Sequence, residues 1–245
     1  ASQLAGRRPD VVAVDMPLAL GPITGRRAAD DAIARAFARC GLGTHSPTAE
    51  RPGAVAVTLR ETFASYPLAT ACVPPGQLPA LVEVYPHTAL LALLRVEHRV
   101  PYKLARTRRY WPHLSPPERR ASVIRQWARI GTALEAEIAG VSQCLAIPQR
   151  RLKAFEDMLD AVICAWAGLC WAEGRACAYG DSQAAVWVPC ARPLRAKAGL
   201  YGQPSALLAR EAKTCSLWCL NSHSIPKRDS GISSLRRHCG QKWQR

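Results

Sequence analysis

The sequence predicts an α/β protein, in which short buried strands alternate with helices, on three observations. Apolar, β-branched runs stop at prolines; runs with apolar residues at helical spacing follow them; and 49% of the 245 residues are hydrophobic against 21% charged, enough to build a core. The length fits one large domain or one domain with an appendage, and residues 1–190 are expected to form the domain.

The run VVAVDMPL at residues 11–18 is stopped by Pro17 and the Gly21-Pro22 pair, so it reads as a buried strand with Asp15 at its carboxyl end. Thr24 is the expected cap of the next helix, where Ala29, Ile33, Phe37 and Cys40 recur at helical spacing until Gly41 or Gly43 ends it. Residues 44–80 carry prolines at 47, 52, 67, 74, 75 and 79 and are expected to be a long excursion of brief mixed pieces. LVEVYP at 81–86 reads as a second strand with Glu83 inside it and Pro86 closing it, followed by a helix-like apolar run around residues 90–94.

Ser115-Pro116-Pro117-Glu118 has the form of a capping box with proline at the first helical position. Val123, Trp127, Ile130, Leu134 and Ile138 then keep one helical face apolar until Gly140. A further helix runs from about Arg151 to Trp171, with Phe155, Leu159, Val162, Trp166 and Leu169 along one side and Gly174 beyond its end. Tyr179-Gly180-Asp181 reads as a turn, and AAVWVP at 184–189 as a closing strand. From about Ala191 the periodicity fades, so residues 191–245 are expected to be a basic, poorly ordered tail that adds little to the core.

Lysine and arginine outnumber aspartate and glutamate by 33 to 18, and +9 of the resulting +15 sits in residues 190–245. Such a surplus favours polyanions as partners. Ten cysteines in so long a chain, with Cys164 and Cys170 inside an apolar helical pattern, read as core thiols in a reducing cytosol rather than a disulfide framework. The opening ASQLAGRRPD has no apolar segment and charge-free stretches are broken by proline. No export signal and no membrane partner are therefore expected, and a cytoplasmic setting is.

Asp157 and Asp160 stand three apart on the last long helix, which puts both carboxylates on one face. Burying several carboxylates together is costly, because each loses hydration and each repels the next; a hard divalent cation offsets both effects. Should Asp15 and Glu83 approach this pair, the cluster has ligands for magnesium or manganese, the ions of phosphodiester hydrolysis. Each acid also has a plainer reading. Asp157 can pair with Lys153 at four-residue spacing, Asp15 can cap the turn after its strand, and Glu83 can pair with an arginine.

The segments VAVDMPLALG, GRRAADDAIARAFARCG, EVYPHTALL, the K-x-x-E-D-x-x-D-A-V-I-C-A-W run at 153–166 and YGD followed by AAVWVP occur in that order over about residues 11–189. Together they resemble the family known as domain of unknown function 429 (DUF429), described as predicted nucleases of ribonuclease-H-like fold. The resemblance implies a mixed sheet flanked by helices and a metal-dependent nuclease, with Asp15, Asp157 and Asp160 as metal ligands and Glu83, in the E-V-Y-P motif, as a possible fourth catalytic acid. It also implies a cluster of Arg26, Arg27 and Asp30 after the D-x-P-L strand, serving phosphate contact or structure. Family members open with a G-x-D-G strand whose like is not seen in residues 1–10, so an N-terminally incomplete domain is expected, and a catalytically inactive nucleic-acid-binding remnant is the alternative function. The tail after about residue 195 resembles nothing in the family.

Residues 99–129 hold nine lysines or arginines against Glu118 alone, interleaved with Tyr102, Tyr110, Trp111 and Trp127. Phosphate contacts plus ring stacking suit nucleic acid, so Lys103, Arg106, Arg108 and Arg109 are expected contacts, although Trp127 lies on an apolar helix face and reads as core. Cys215, Cys219, His223 and Cys239 lack the close C-x-x-C pairs of a zinc site and read as coincidence. The sequence holds no Gly-rich phosphate loop, G-x-S-x-G elbow or H-E-x-x-H helix.

Overall fold

In a computed structural model the described residues are 8–51, 53–190 and the backbone of 217–221. They form an α/β protein. Strand β1 (Val11–Asp15) pairs in parallel with β2 (Ala80–Val84), and β2 pairs in parallel with β4 (Ala185–Pro189). Strand β3 (Ala176–Gly180) runs antiparallel to β4, and Leu217–Asn221 lies parallel to β1 as β5, giving the mixed order β3-β4-β2-β1-β5. Seven helices accompany the sheet among the described residues: α1 (Ala28–Phe37), α2 (Ala54–Thr62), α3 (Pro86–Leu94), α4 (Thr107–Tyr110), α5 (Pro116–Glu137), α6 (Val141–Cys144) and α7 (Leu152–Ala172).

Alternation along the strands decides what each face meets. Val11 and Ala13 of β1 join Ala80, Val82 and Val84 of β2 in the main core, against Leu159, Ile163, Cys164 and Ala167 of α7 and Trp127, Ile130 and Leu134 of α5. Val12 and Val14 point the other way and pack with Leu81, Ala56 and Leu59, the last two from α2. On that second face Val186 and Val188 meet Ala29 and Ile33 of α1. Small side chains at Cys164 and Ala167, both buried, let α7 lie closely over β1.

Several local expectations change. Helix α1 starts at Ala28 rather than after Thr24, because Asp30 Oδ2 accepts the Arg27 backbone N–H and fixes the first turn there. A helical turn of 3-10 type (Ala38–Cys40) then ends at Gly41, whose φ of 73° suits a residue without Cβ. The proline-rich excursion contains a real helix, α2. The segment read as a turn around Tyr179 is the end of β3, and Asp181 closes the hairpin by accepting the Gln183 and Ala184 N–H groups. The capping box at Ser115 forms as expected, with Glu118 Oε2 accepting the Ser115 N–H at 2.8 Å. Cys177 and Cys190 are joined as a disulfide, while Cys164 and Cys170 are buried thiols outside it, the latter pushed by burial up to about 12. The backbone of 217–221 extends the sheet; the rest of the expected tail, and the side chains of Cys215, Cys219, His223 and Cys239, lie outside the described residues.

Candidate functional site

Asp15 closes β1 at the carboxyl end of the parallel strands, where open α/β sheets carry their ligand sites. Being in step with Val11 and Ala13, its side chain falls on the face covered by α7. Asp160 projects from the third turn of α7, fully buried, toward the same place. Burial pushes the Asp15 carboxyl up to about 7, and the nearby Asp160 carboxylate adds to the rise while Lys103 opposes it. Burial raises Asp160 as well, against the opposing pull of Lys103 and Tyr102. Among the described residues no hydrogen bond or ion pair reaches the Asp15 carboxylate.

Asp160 is held from two sides. The Tyr102 hydroxyl donates to Oδ1 at 2.7 Å and the Lys103 ammonium to Oδ2. One turn earlier stands Glu156, almost fully buried, which accepts the Leu104 N–H at 2.6 Å and Lys153 Nζ at 3.0 Å. Lys153 also donates to Asp157 at 2.5 Å, the four-residue pair foreseen from spacing. Oxygen atoms of Glu156, Asp157 and Asp160 lie within 4.8 Å of one another. These are hard oxygen donors of the kind that magnesium and manganese take, and the group could hold a metal ion. Glu156 had not been singled out, and Tyr102 only as a ring among the basic residues, though Glu156 stands four residues before Asp160 on the same helical face.

Glu83 is not brought to this cluster. In register with Val14, it lies on the opposite face of the sheet, where Arg27 grips it through Nη1 to Oε2 at 2.6 Å and Nη2 to Oε1 at 2.7 Å. The Leu18 N–H adds a third hydrogen bond to Oε2. Arg27 spends its remaining donors on Asp30 and the Leu18 carbonyl, with only 8% of its side chain exposed. Arg26 pairs with Asp31 at 2.5 Å and with Ser46. The Arg26–Arg27–Asp30 cluster therefore acts as a latch between α1 and β2.

The basic stretch divides. Lys103 belongs to the acid cluster; Arg108 and Arg109 are exposed; Arg106 is half-buried. Tyr102 and Trp127 are core residues, the indole N–H of Trp127 donating to the Tyr102 carbonyl at 2.8 Å, so neither serves as a stacking platform. Behind them sits His87, buried in the first turn of α3, its ring edge-on to Tyr85 and Tyr102. Arg99 Nη2 lies 2.8 Å from His87 Nε2. Burial, and after it the charges of Arg99, Lys103 and Arg106, depresses the imidazole well below its usual range, so His87 is neutral. No described helix is long and apolar enough to cross a membrane.

No curated protein and no solved structure matches this chain. A family model described as "Protein of unknown function (DUF429)" matches residues 1–184, three quarters of the sequence, and the chain belongs to that family.

Proposed function

We propose that this chain is a magnesium- or manganese-dependent nuclease of ribonuclease-H-like architecture that hydrolyses nucleic-acid phosphodiesters. One observation carries the reading: Asp15 ends the strand that α7 covers, and Asp160, from α7, is the charge that acts on it most strongly. A half-buried and a fully buried carboxylate from distant stretches of chain, each with its ionisation disfavoured, make a place where a divalent cation relieves desolvation and mutual repulsion together. Asp15, Asp157 and Asp160 would hold the ion, and Glu156 adds a fourth oxygen donor beside them. When bound, such an ion polarises a phosphoryl oxygen and activates water. Arg108 and Arg109, exposed a few residues beyond Lys103 in the chain, would contact the backbone phosphates of the substrate.

The test is cleavage of branched, single-stranded and hybrid substrates with magnesium or manganese. Activity that survives Asp160→Asn contradicts the assignment, whereas a loss of at least about a hundredfold supports it.

A second reading, a nucleic-acid-binding protein without catalysis, is favoured by the Lys103 ammonium seated on Asp160, since an internal cation already neutralises that acid. Steeply salt-dependent binding with no turnover under any metal selects this alternative. A cytoplasmic setting goes with the buried, reduced thiols of Cys164 and Cys170; the redox state of the Cys177–Cys190 pair in cells tests it.

A further inference from the structure

We propose that the group of His87, Arg99 and Arg106, which follows the carboxyl end of β2, is a phosphoryl-binding subsite, taking either a free phosphate or the phosphodiester of a nucleic acid. An arginine only donates, so the Arg99–His87 contact of 2.8 Å makes Nε2 the acceptor and leaves the imidazole proton on Nδ1. That Nδ1–H is buried and has no partner among the described residues. Arg99 Nε and the Tyr110 hydroxyl are likewise buried and unpartnered. Buried donors left unsatisfied are uncommon and call for an acceptor.

Among the described residues no carboxylate pairs with Arg99 or Arg106; most described arginines share this, but these two are half-buried, where an unbalanced charge is costlier. Both act electrostatically on Tyr85 and His87, so the two guanidinium groups share one neighbourhood with that imidazole. The group is also anchored: the Arg99 N–H donates to the Cys40 carbonyl at 2.8 Å and the Tyr85 hydroxyl to the Gly43 carbonyl at 3.1 Å. A site rich in donors and short of acceptors, with two uncompensated positive charges, suits a group offering several anionic oxygens. The role of this subsite in cleavage rests on the nuclease reading above; its affinity for phosphate does not.

Isothermal titration of the full chain with inorganic phosphate, and separately with a dinucleoside phosphodiester, tests the assignment. Arg99→Gln and Arg106→Gln are expected to weaken phosphate binding by about tenfold each, while Arg175→Gln, beyond the far end of α7, leaves it unchanged. Folding of each variant is checked by circular dichroism; Arg106→Gln keeps the test open if Arg99→Gln fails to fold. Wild-type protein that does not bind millimolar phosphate, or Arg99 and Arg106 variants that bind as wild type, overturns the proposal. Binding of phosphate but not of the diester assigns the subsite to free or terminal phosphate. Cleavage without phosphate binding removes the subsite and leaves the nuclease reading intact; phosphate binding without cleavage does the reverse.

Discussion

The Lys103 ammonium sits on Asp160 Oδ2 and lies 3.9 Å from Glu156 Oε1, so one side chain of the loop before α4 supplies positive charge to two buried acids of α7. Without that charge the carboxylates must be neutralised by protons or by a metal ion. Lys103→Met is therefore expected to lose about 3–5 kcal/mol in metal-free buffer. Part of that loss should return with millimolar magnesium, as urea melts with and without the salt would show. A variant as stable as wild type in chelator would mean that the ammonium is not what balances the cluster.

Asp15 should make the protein less stable as pH rises. Its folded value of about 7 lies above the ordinary 3.8, so the folded state holds the proton more tightly; this contribution is full below about pH 4 and is lost as pH climbs through 7. Asp15→Asn removes the dependence. Above pH 7 the variant should exceed wild type by on the order of 1–4 kcal/mol in metal-free buffer, and the two should converge near pH 4. Parallel stability curves from pH 4 to 8 would show that Asp15 ionises without penalty.

Arg27 should matter for stability and not for phosphate binding. Its guanidinium holds Glu83 and Asp30, both buried, and replacing it by methionine leaves two carboxylates without a cation. A loss of about 3–5 kcal/mol is expected. Arg27→Lys should recover little of it, because an ammonium cannot make the paired contacts of a planar fork. Chemical denaturation measures this, and full rescue by lysine would contradict the latch.

Strands β1, β2 and β4 and helices α5 and α7 were legible because each carries its own pattern: β-branched runs cut by proline, a capping box, or apolar residues at helical spacing. Helix α2 was not, since Val55 and Val57 face solvent and only Ala56 and Leu59 are buried, leaving a weak stripe amid prolines. Strand β3 is short and keeps only Ala176 fully buried. The acids of α7 and the acid of β1 could be named from sequence, and the alternation along β1 fixes which face Asp15 takes. Which face α7 covers is a tertiary fact, however, and it is this that puts Asp15 with Asp160 and leaves Glu83 on the other face, from where its charge still adds to the rise at Asp15. Likewise, the sequence offers many arginines for Glu83, and only the fold selects Arg27, 56 residues away. His87 and Arg99 carried no local signal, because their meaning lies in donors that packing leaves without acceptors.

The most direct measurement is manganese binding, followed by the loss of the free ion's electron paramagnetic resonance signal at pH 8, for wild type, Asp15→Asn, Asp160→Asn and Glu83→Gln. A shared pocket predicts that wild type binds the ion and that Asp15→Asn and Asp160→Asn each weaken it by at least about tenfold, with Glu83→Gln close to wild type once folded. Equal affinity in wild type and Asp15→Asn would contradict the claim that the strand and the helix hold one cation between them.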